Sequence, residues 1–393
     1  MIVFGAYIIF EVIYVMPLPV VGIHAWNESV YLSFVNYMKK SANPFVFRAA
    51  YDPFRPDYNV GYLFFWASYI FHSLAQKLSD TLESFLWFSR LFCLICTILS
   101  SLIIYVISIK LVKKEFCAYF NVISFLFSPL TLYFGTKFQL EPFTFLVFLI
   151  SWLLIIKYVE TIKLRYVIAG FAVFGALILT RQIYAIYVPA LLTCLLVERK
   201  YDQKKKNSIS LAILSLLLGF VIPLALTHAI VPQYSPIRFQ YSRLVESPAM
   251  AFSRPWQSGN LVLLYIQRSL LPSLGLNFIF VIVLIILLLF SRNNLPQVNR
   301  TTTTVFILAG AVYFAFAFLH NIVHMYHSYY FIPPIILASS IVVTFILKTN
   351  RKSLIIFLTF SLLFHQFFRF GKPSIFMVYV QIESIDALMP TAP

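Results

Sequence analysis

The chain has 393 residues and is poor in charge: 11% of positions are Asp, Glu, Lys or Arg, against 61% that are hydrophobic. With a mean hydropathy of +0.86, a water-soluble domain is excluded, because no fold of this length hides so much apolar surface. Cysteine is scarce as well. Cys93, Cys96, Cys117 and Cys194 all lie in apolar stretches. Cys93 and Cys96 have metal-ligand spacing, but no second pair or nearby His accompanies them, so buried packing thiols are expected. Repeats, linkers and low-complexity tracts are missing, which leaves a single membrane domain over residues 1–393. A basic n-region and a small-residue cleavage site are missing too, so the first apolar segment is expected to stay as a span, on a chain that starts late.

What the chain has in quantity is apolar runs of about 20 residues, the length that crosses a hydrocarbon core as a helix. Spans are expected near residues 3–21, 84–109, 116–136, 141–158, 164–180, 183–198, 208–231, 274–291, 302–320, 328–347 and 354–370. The fold class is therefore an all-α polytopic membrane protein with about eleven transmembrane helices. The net charge of +16 reads as basic loops facing an anionic cytoplasmic leaflet, not as a nucleic-acid surface. The loops at 110–115, 157–165, 199–206, 292–300 and 348–352 hold sixteen of the 30 Lys and Arg. Alternating spans put all five on one side, which identifies the cytoplasm. Glu28, Asp52, Asp57, Asp80, Glu83, Glu141, Glu246, Glu383 and Asp386 fall on the other.

Residues 62–76 (YLFFWASYIFHSLAQ) are apolar enough to suggest a span, yet counting them as one inverts every later loop. They are expected as an interfacial or re-entrant helix. Two outer segments are long, 22–83 and 232–273. The second carries Arg238, Arg243, Arg254 and Arg268 around Trp256 and reads as an anion-facing lid.

The polar residues of the outer side are the candidates for chemistry. In HAWNESVYLSFVNYMKK, Tyr31, Phe34, Val35 and Met38 recur at helical spacing, which predicts an amphipathic surface helix over 28–40. Asn27 would cap it and Glu28 would stand in its first turn, either as a stabilising acid or as a general base or cation ligand. Asp52 and Asp57 in YDPFRPDYN are either solvated loop charges near Arg55 or ligands for a divalent ion or a sugar hydroxyl. Gln139 and Glu141 flank the turn before Pro142, with Glu141 a cap or a carboxylate at a cavity mouth. Arg181, in a short outer turn, either snorkels or grips a lipid phosphate bidentately. LHNIVHMYHSYYFIPPI brings His320, His324, His327, Tyr326, Tyr329 and Tyr330 to an outer edge. Tyrosines there fit an aromatic belt, while His324 and His327 at i, i+3 suit phosphate contact better than a permanent zinc site.

The order of these elements resembles that of the GT-C membrane glycosyltransferases, in particular the family of protein O-mannosyltransferases and lipid A aminoarabinose transferases. It runs as an outer H-x-W-x-E-x-x-Y helix, an aromatic interfacial segment, a Q-x-E-P turn, an Arg turn and H-x-Y-H-x-Y-Y-x-x-P, covering the chain to about residue 347. The resemblance implies a sugar donor on a polyprenyl or dolichyl phosphate, an outer-loop acid as catalytic base, and inversion at the anomeric carbon. Several members carry Asp-Glu where this chain has Asn27-Glu28, so Glu28 is the base it assigns. Asp57-Tyr58-Asn59 stands near the place of a Lys-Pro-Pro element. His24, Asn27, Asp52, Asp57, Glu141, Arg181, His324, His327 and Tyr330 are then substrate-binding candidates. A divalent ion on Glu28 and Asp52 stays open as the only cofactor. The expected partners are a lipid-phosphate-linked sugar, a glycan, lipid or protein acceptor and membrane lipids, with no nucleic acid. The expected location is a prokaryotic plasma membrane, with the site on its extracytoplasmic face. A transporter or flippase of lipid-linked glycans is the alternative. It calls for charges within spans and an inverted repeat, and only Glu11 is counted inside a span.

Overall fold

A computed structural model describes residues 2–17, 25–40, 62–75, 77–78, 81–197, 204–230, 275–290, 302–312 and 325–348, which are helical throughout apart from short connections. In chain order the helices are α1 (Ile2–Phe10, continued by a π-turn at Glu11–Val15), α2 (Ala25–Lys40), α3 (Tyr62–Ala75), α4 (Leu82–Val112), α5 (Glu115–Leu126), α6 (Pro129–Phe134), α7 (Leu140–Thr161) and α8 (Leu164–Thr180). Then follow α9 (Val188–Val197), α10 (Lys204–Ile230), α11 (Ile279–Phe290), α12 (Thr302–Val312) and α13 (Ile332–Lys348). Among the described residues four stretches are long and apolar enough to cross a membrane: Ser84–Val112, Leu140–Thr161, Ser208–Leu226 and Ser328–Lys348. Six further expected spans coincide with shorter apolar helices of 10–17 residues. The eleventh, 354–370, and the lid segment 232–273 lie outside the described residues.

Several expectations need correction. The span expected at 116–136 is interrupted, because Ser128 accepts the Thr131 N–H at 3.2 Å and Pro129 opens a new helix after it. A Ser cap followed by Pro at the first helical position restarts a helix rather than continuing one. α2 starts at Ala25, so Asn27 is inside the helix and is not its cap. Glu11 is not the only charge within a span, since Arg90 lies in α4. α3 is 14 residues long, about 21 Å at 1.5 Å per residue. That is shorter than the hydrocarbon core, as are the other apolar helices of 10–17 residues.

α4 and α7 form the centre of the bundle and give it two distinct ends. At one end Lys110 and Glu160 pair at 2.5 Å, next to Lys113, Lys114, Lys163 and Arg165. Arg90 and Glu141 lie near the other end of the same two helices; twenty residues of α4 separate Arg90 from Lys110, roughly 30 Å. Between the ends, α4, α5 and α13 are joined by hydroxyls and an amide. Asn121 donates to Ser108 at 2.8 Å and Ser340 at 2.7 Å and accepts from Ser339 at 2.5 Å. Such contacts hold helices together where lipid supplies no hydrophobic drive between them.

α10 uses a different device. Much of its surface is exposed, including Leu214, Leu217, Val221 and Leu226, so it faces lipid. It is held to α8 by backbone approach: a Cβ on Gly219 would stand 2.0 Å from the Ala172 carbonyl oxygen, and one on Gly175 would stand 2.2 Å from that of Leu216. Gly219→Ala is therefore expected to cost about 1–3 kcal/mol through overpacking, read as a lower Tm in detergent. Gly5→Ala, with nothing within 4 Å, is the neutral control.

α3 docks on α4 through His72, whose ring stacks on Phe85 with centroids 4.4 Å apart and whose Nε2 lies 2.8 Å from the Ser89 Oγ. Ser89 gives its own proton to the Phe85 carbonyl at 2.9 Å, so Nε2–H of His72 is the donor to it. Burial, and after it the charge of Lys39, pushes the imidazole down from 6.5 to about 4. The folded value lies below the unfolded one, so the docked state keeps its full stability above pH ~6.5 and loses it progressively as pH falls toward 4. Tm measured from pH 7 to pH 5 should fall, and His72→Gln should flatten that part of the profile.

Candidate active site

The turn Gly135–Gln139 joins α6 to α7, and most of its residues are tied to a different part of the chain. The Gly135 carbonyl accepts from Thr97 of α4 at 2.7 Å, and the Thr136 hydroxyl donates to Glu11 at 2.8 Å. The Phe138 N–H donates to Glu28 at 3.1 Å, and the Gln139 carbonyl receives the Cys93 thiol at 3.7 Å. Lys137 is 4% exposed, with its ammonium 4.0 Å from the centre of the Tyr133 ring. The turn thus gathers groups from α1, α2 and α4 at the N-terminus of α7.

Two arginine–carboxylate pairs stand beside it, both with buried carboxylates. Arg90 Nε and Nη2 donate to the two oxygens of Glu28, each at 3.0 Å, and Nη1 donates to the Met16 carbonyl at 2.5 Å. Both side chains are 1% exposed. The planar fork of an arginine matches a carboxylate in this side-on arrangement, and ionised partners make such bonds short and directional. Helical periodicity explains why Glu28 faces inward: Tyr31, Phe34, Val35 and Met38 are buried and place that stripe of α2 against the bundle.

In the second pair Arg181, at the end of α8, donates from Nη2 to Glu141 Oε1 at 3.0 Å and from Nε to the Tyr330 hydroxyl at 2.5 Å. Tyr330 in turn donates to the same glutamate oxygen at 3.4 Å, and the Tyr187 hydroxyl donates to the Tyr330 carbonyl at 2.5 Å. Glu141 Oε2 has no hydrogen-bond partner among the described residues. One triad therefore links the start of α7, the end of α8 and the 3-10 turn Met325–Phe331 ahead of α13.

Of the residues expected from sequence, the structure brings Glu141, Arg181 and Tyr330 into direct contact and seats Glu28 on the turn two residues before α7. Asn27 is on α2 and His327 in the 3-10 turn. His24, Asp52, Asp57 and His324 lie outside the described residues, as do the side chains of Asn27 and His327. Arg90 was not among the expected residues. Its signal was a lone cation inside an apolar run, which at membrane depth marks a functional group or the partner of one. Lys137, in the same turn as Glu141, also went unremarked.

Among the described residues no three His, Cys, Asp or Glu side chains stand together as metal ligands. Glu28 has an arginine on both oxygens and Glu141 has one on Oε1, which is a poor donor set for a divalent cation. No step is routed through a metal.

The helical bundle has the fold of a solved oligosaccharyltransferase. Over 98% of the chain it superposes, with a TM-score of 0.53 and 10% sequence identity, on the Archaeoglobus fulgidus oligosaccharyltransferase, solved in complex with zinc and sulfate. The chain spans about half of that structure, 52% of its length. Residues 60–228 match the family model of dolichyl-phosphate-mannose-protein mannosyltransferases, which bears out the resemblance read from the outer motifs. No curated protein matches the chain in sequence.

The Arg90–Glu28 pair sets a clear expectation for stability. Arg90→Met alone leaves a buried carboxylate without its cation and should cost about 3–5 kcal/mol, whereas Arg90→Met with Glu28→Leu removes both charges and should recover most of it. Thermal unfolding in detergent compares the two.

Proposed function

We propose that the chain is a membrane glycosyltransferase that moves a sugar from a polyprenyl or dolichyl phosphate to an extracytoplasmic hydroxyl acceptor, with inversion. The observation that carries this reading is the convergence of two arginine–carboxylate pairs on the 135–141 turn, at the end of the bundle opposite the basic loops.

The residues suit the chemistry. The departing lipid phosphate is anionic and stable without protonation, so a general acid is not required. What the reaction needs is one carboxylate for the acceptor proton and a cation near the leaving oxygen. Glu28 is assigned as base. Three of its four lone-pair positions are filled by Arg90 and Phe138 N–H, which leaves one on Oε2. The acceptor O–H gives its proton there as its oxygen attacks the anomeric carbon. The bond from that carbon to the phosphate oxygen breaks on the opposite face, and its electron pair leaves with the phosphate. Arg181 stands for the cation, His324 and His327 are further candidates for the phosphate, and Glu141 orients the sugar. Arg90 positions Glu28 and does not touch substrate.

Purified protein incubated with a panel of polyprenyl-phosphate sugars should cleave one of them and release product of inverted configuration. Glu28→Gln should lower turnover at least 10²-fold. Because that change also disturbs the ion pair, Glu28→Gln with Arg90→Gln supplies the decisive comparison: restored thermal stability without restored activity supports a base, and restored activity makes Glu28 a structural lock. Retained anomeric configuration would overturn the mechanism. Absence of any donor turnover, together with flux of a lipid-linked glycan in proteoliposomes, would overturn the reading in favour of transport.

A further inference from the structure

Gln139 is a buried group that nothing around it accounts for. It occupies the N-cap position of α7, where a side chain ordinarily accepts a first-turn N–H, but it makes no capping bond. It has no exposed surface, and neither Oε1 nor Nε2 has a hydrogen-bond partner among the described residues. Oε2 of Glu141, two residues on, is in the same condition. A buried donor or acceptor left unmet is destabilising, and an apolar side chain of similar shape would remove that cost. The mount is nevertheless rigid: the Gln139 carbonyl holds the Cys93 thiol, Phe138 is bonded to Glu28 and Glu141 to Arg181. The Tyr184 ring meets that of Tyr330 edge-on with centroids 4.9 Å apart, and the Tyr330 hydroxyl bonds Glu141. The surroundings of these unmet atoms are therefore polar and fixed before any ligand arrives.

We propose that the Gln139 amide and Glu141 Oε2 form a subsite for the ring hydroxyls of the transferred sugar, and that Gln139 determines which sugar is accepted. A carboxamide presents two N–H donors and a carbonyl acceptor, and the carboxylate oxygen adds a second acceptor. Vicinal hydroxyls each donate and accept, so a sugar edge offers the complementary groups to these protein atoms. An uncharged amide does little for a phosphate, which places its role at the sugar and not at the leaving group. A site built to bond a hydroxyl discriminates strongly against the analogue lacking it, because its own polar groups are then left unpaired. The inference rests on the glycosyltransferase reading and specifies the residue that reads the sugar within it.

The test compares the accepted polyprenyl-phosphate sugar with its monodeoxy analogues in full-length wild type and Gln139→Leu, by kcat/KM and by equilibrium Kd. Wild type should prefer the parent donor over at least one deoxy analogue by about 10²-fold. Gln139→Leu should reduce that preference to a few-fold, by losing the parent and not the analogue, with Tm unchanged or raised. Gln139→Met gives the same readout if the leucine variant does not fold. Preference retained in the variant would overturn the proposal and assign the unmet atoms to buried water. Wild type that neither binds nor turns over any donor would remove the glycosyltransferase reading along with it, whereas turnover with unchanged preference removes this inference alone.

Discussion

An arginine and a glutamate, each 1% exposed, cannot be separated inside a membrane bundle without leaving a charge stranded in a medium that solvates it poorly. That requirement organises the end of the bundle that holds the 135–141 turn. α2 does not continue α1 as a span; it has to lie where Glu28 reaches Arg90, and the Met16 carbonyl has to follow to take the remaining guanidinium N–H. The Phe138 N–H then closes on the same carboxylate. Residues 16, 28, 90 and 138 are distant along the chain and are fixed together by one side-chain pair. The net stabilisation from such a pair is small against an apolar replacement of equal volume. Its effect is on geometry, since a side-on guanidinium allows the carboxylate a single orientation.

The bundle below that pair is built so that this end can stay fixed. The Asn121 hydroxyl network clamps α4 to α13, and the Lys110–Glu160 pair closes α4 on α7 at the opposite end. α10 is held to α8 through glycine contacts. α4 and α7 hold both ends of the site's frame, while α10 mainly presents apolar surface to lipid.

The apolar helices were legible because lipid leaves helices as the only open structures that satisfy their own backbone, while Lys and Arg placement supplied the expected orientation. The same placement set 62–76 apart from the expected spans. Glu141, Arg181 and Tyr330 were each expected at the same edge. Their mutual contact was not legible, because it depends on the end of α8 and the 3-10 turn before α13 packing around the start of α7. The break at Ser128–Pro129 was signalled locally by a capping hydroxyl and a proline, but an average over about 20 residues passes across it. Arg90 was lost in the same way: one cation scarcely lowers the hydropathy of LWFSRLFCLIC, yet it is the residue that locates Glu28. Asn27 was misplaced because a capping residue type carries no information about whether the helix begins two residues earlier, as it does at Ala25.

The two arginine–glutamate pairs are each neutral overall, and the turn between them carries Lys137 and the Glu11 carboxyl on Thr136 as further ionisable groups. For sugar transfer from a lipid phosphate that is a workable arrangement. The leaving group brings its own negative charge, and strong fixed cations all around it would stabilise bound donor as much as the transition state, which raises affinity without raising the rate. A carboxylate whose two oxygens are already oriented by a guanidinium loses little freedom on meeting an acceptor hydroxyl, and orientation of this kind is where most of the available barrier reduction lies. An unmet, uncharged amide two residues from Glu141 adds selection without adding charge. On this view the arginines shape the site chiefly by immobilising carboxylates, and the sugar is recognised by the polar atoms those pairs leave over.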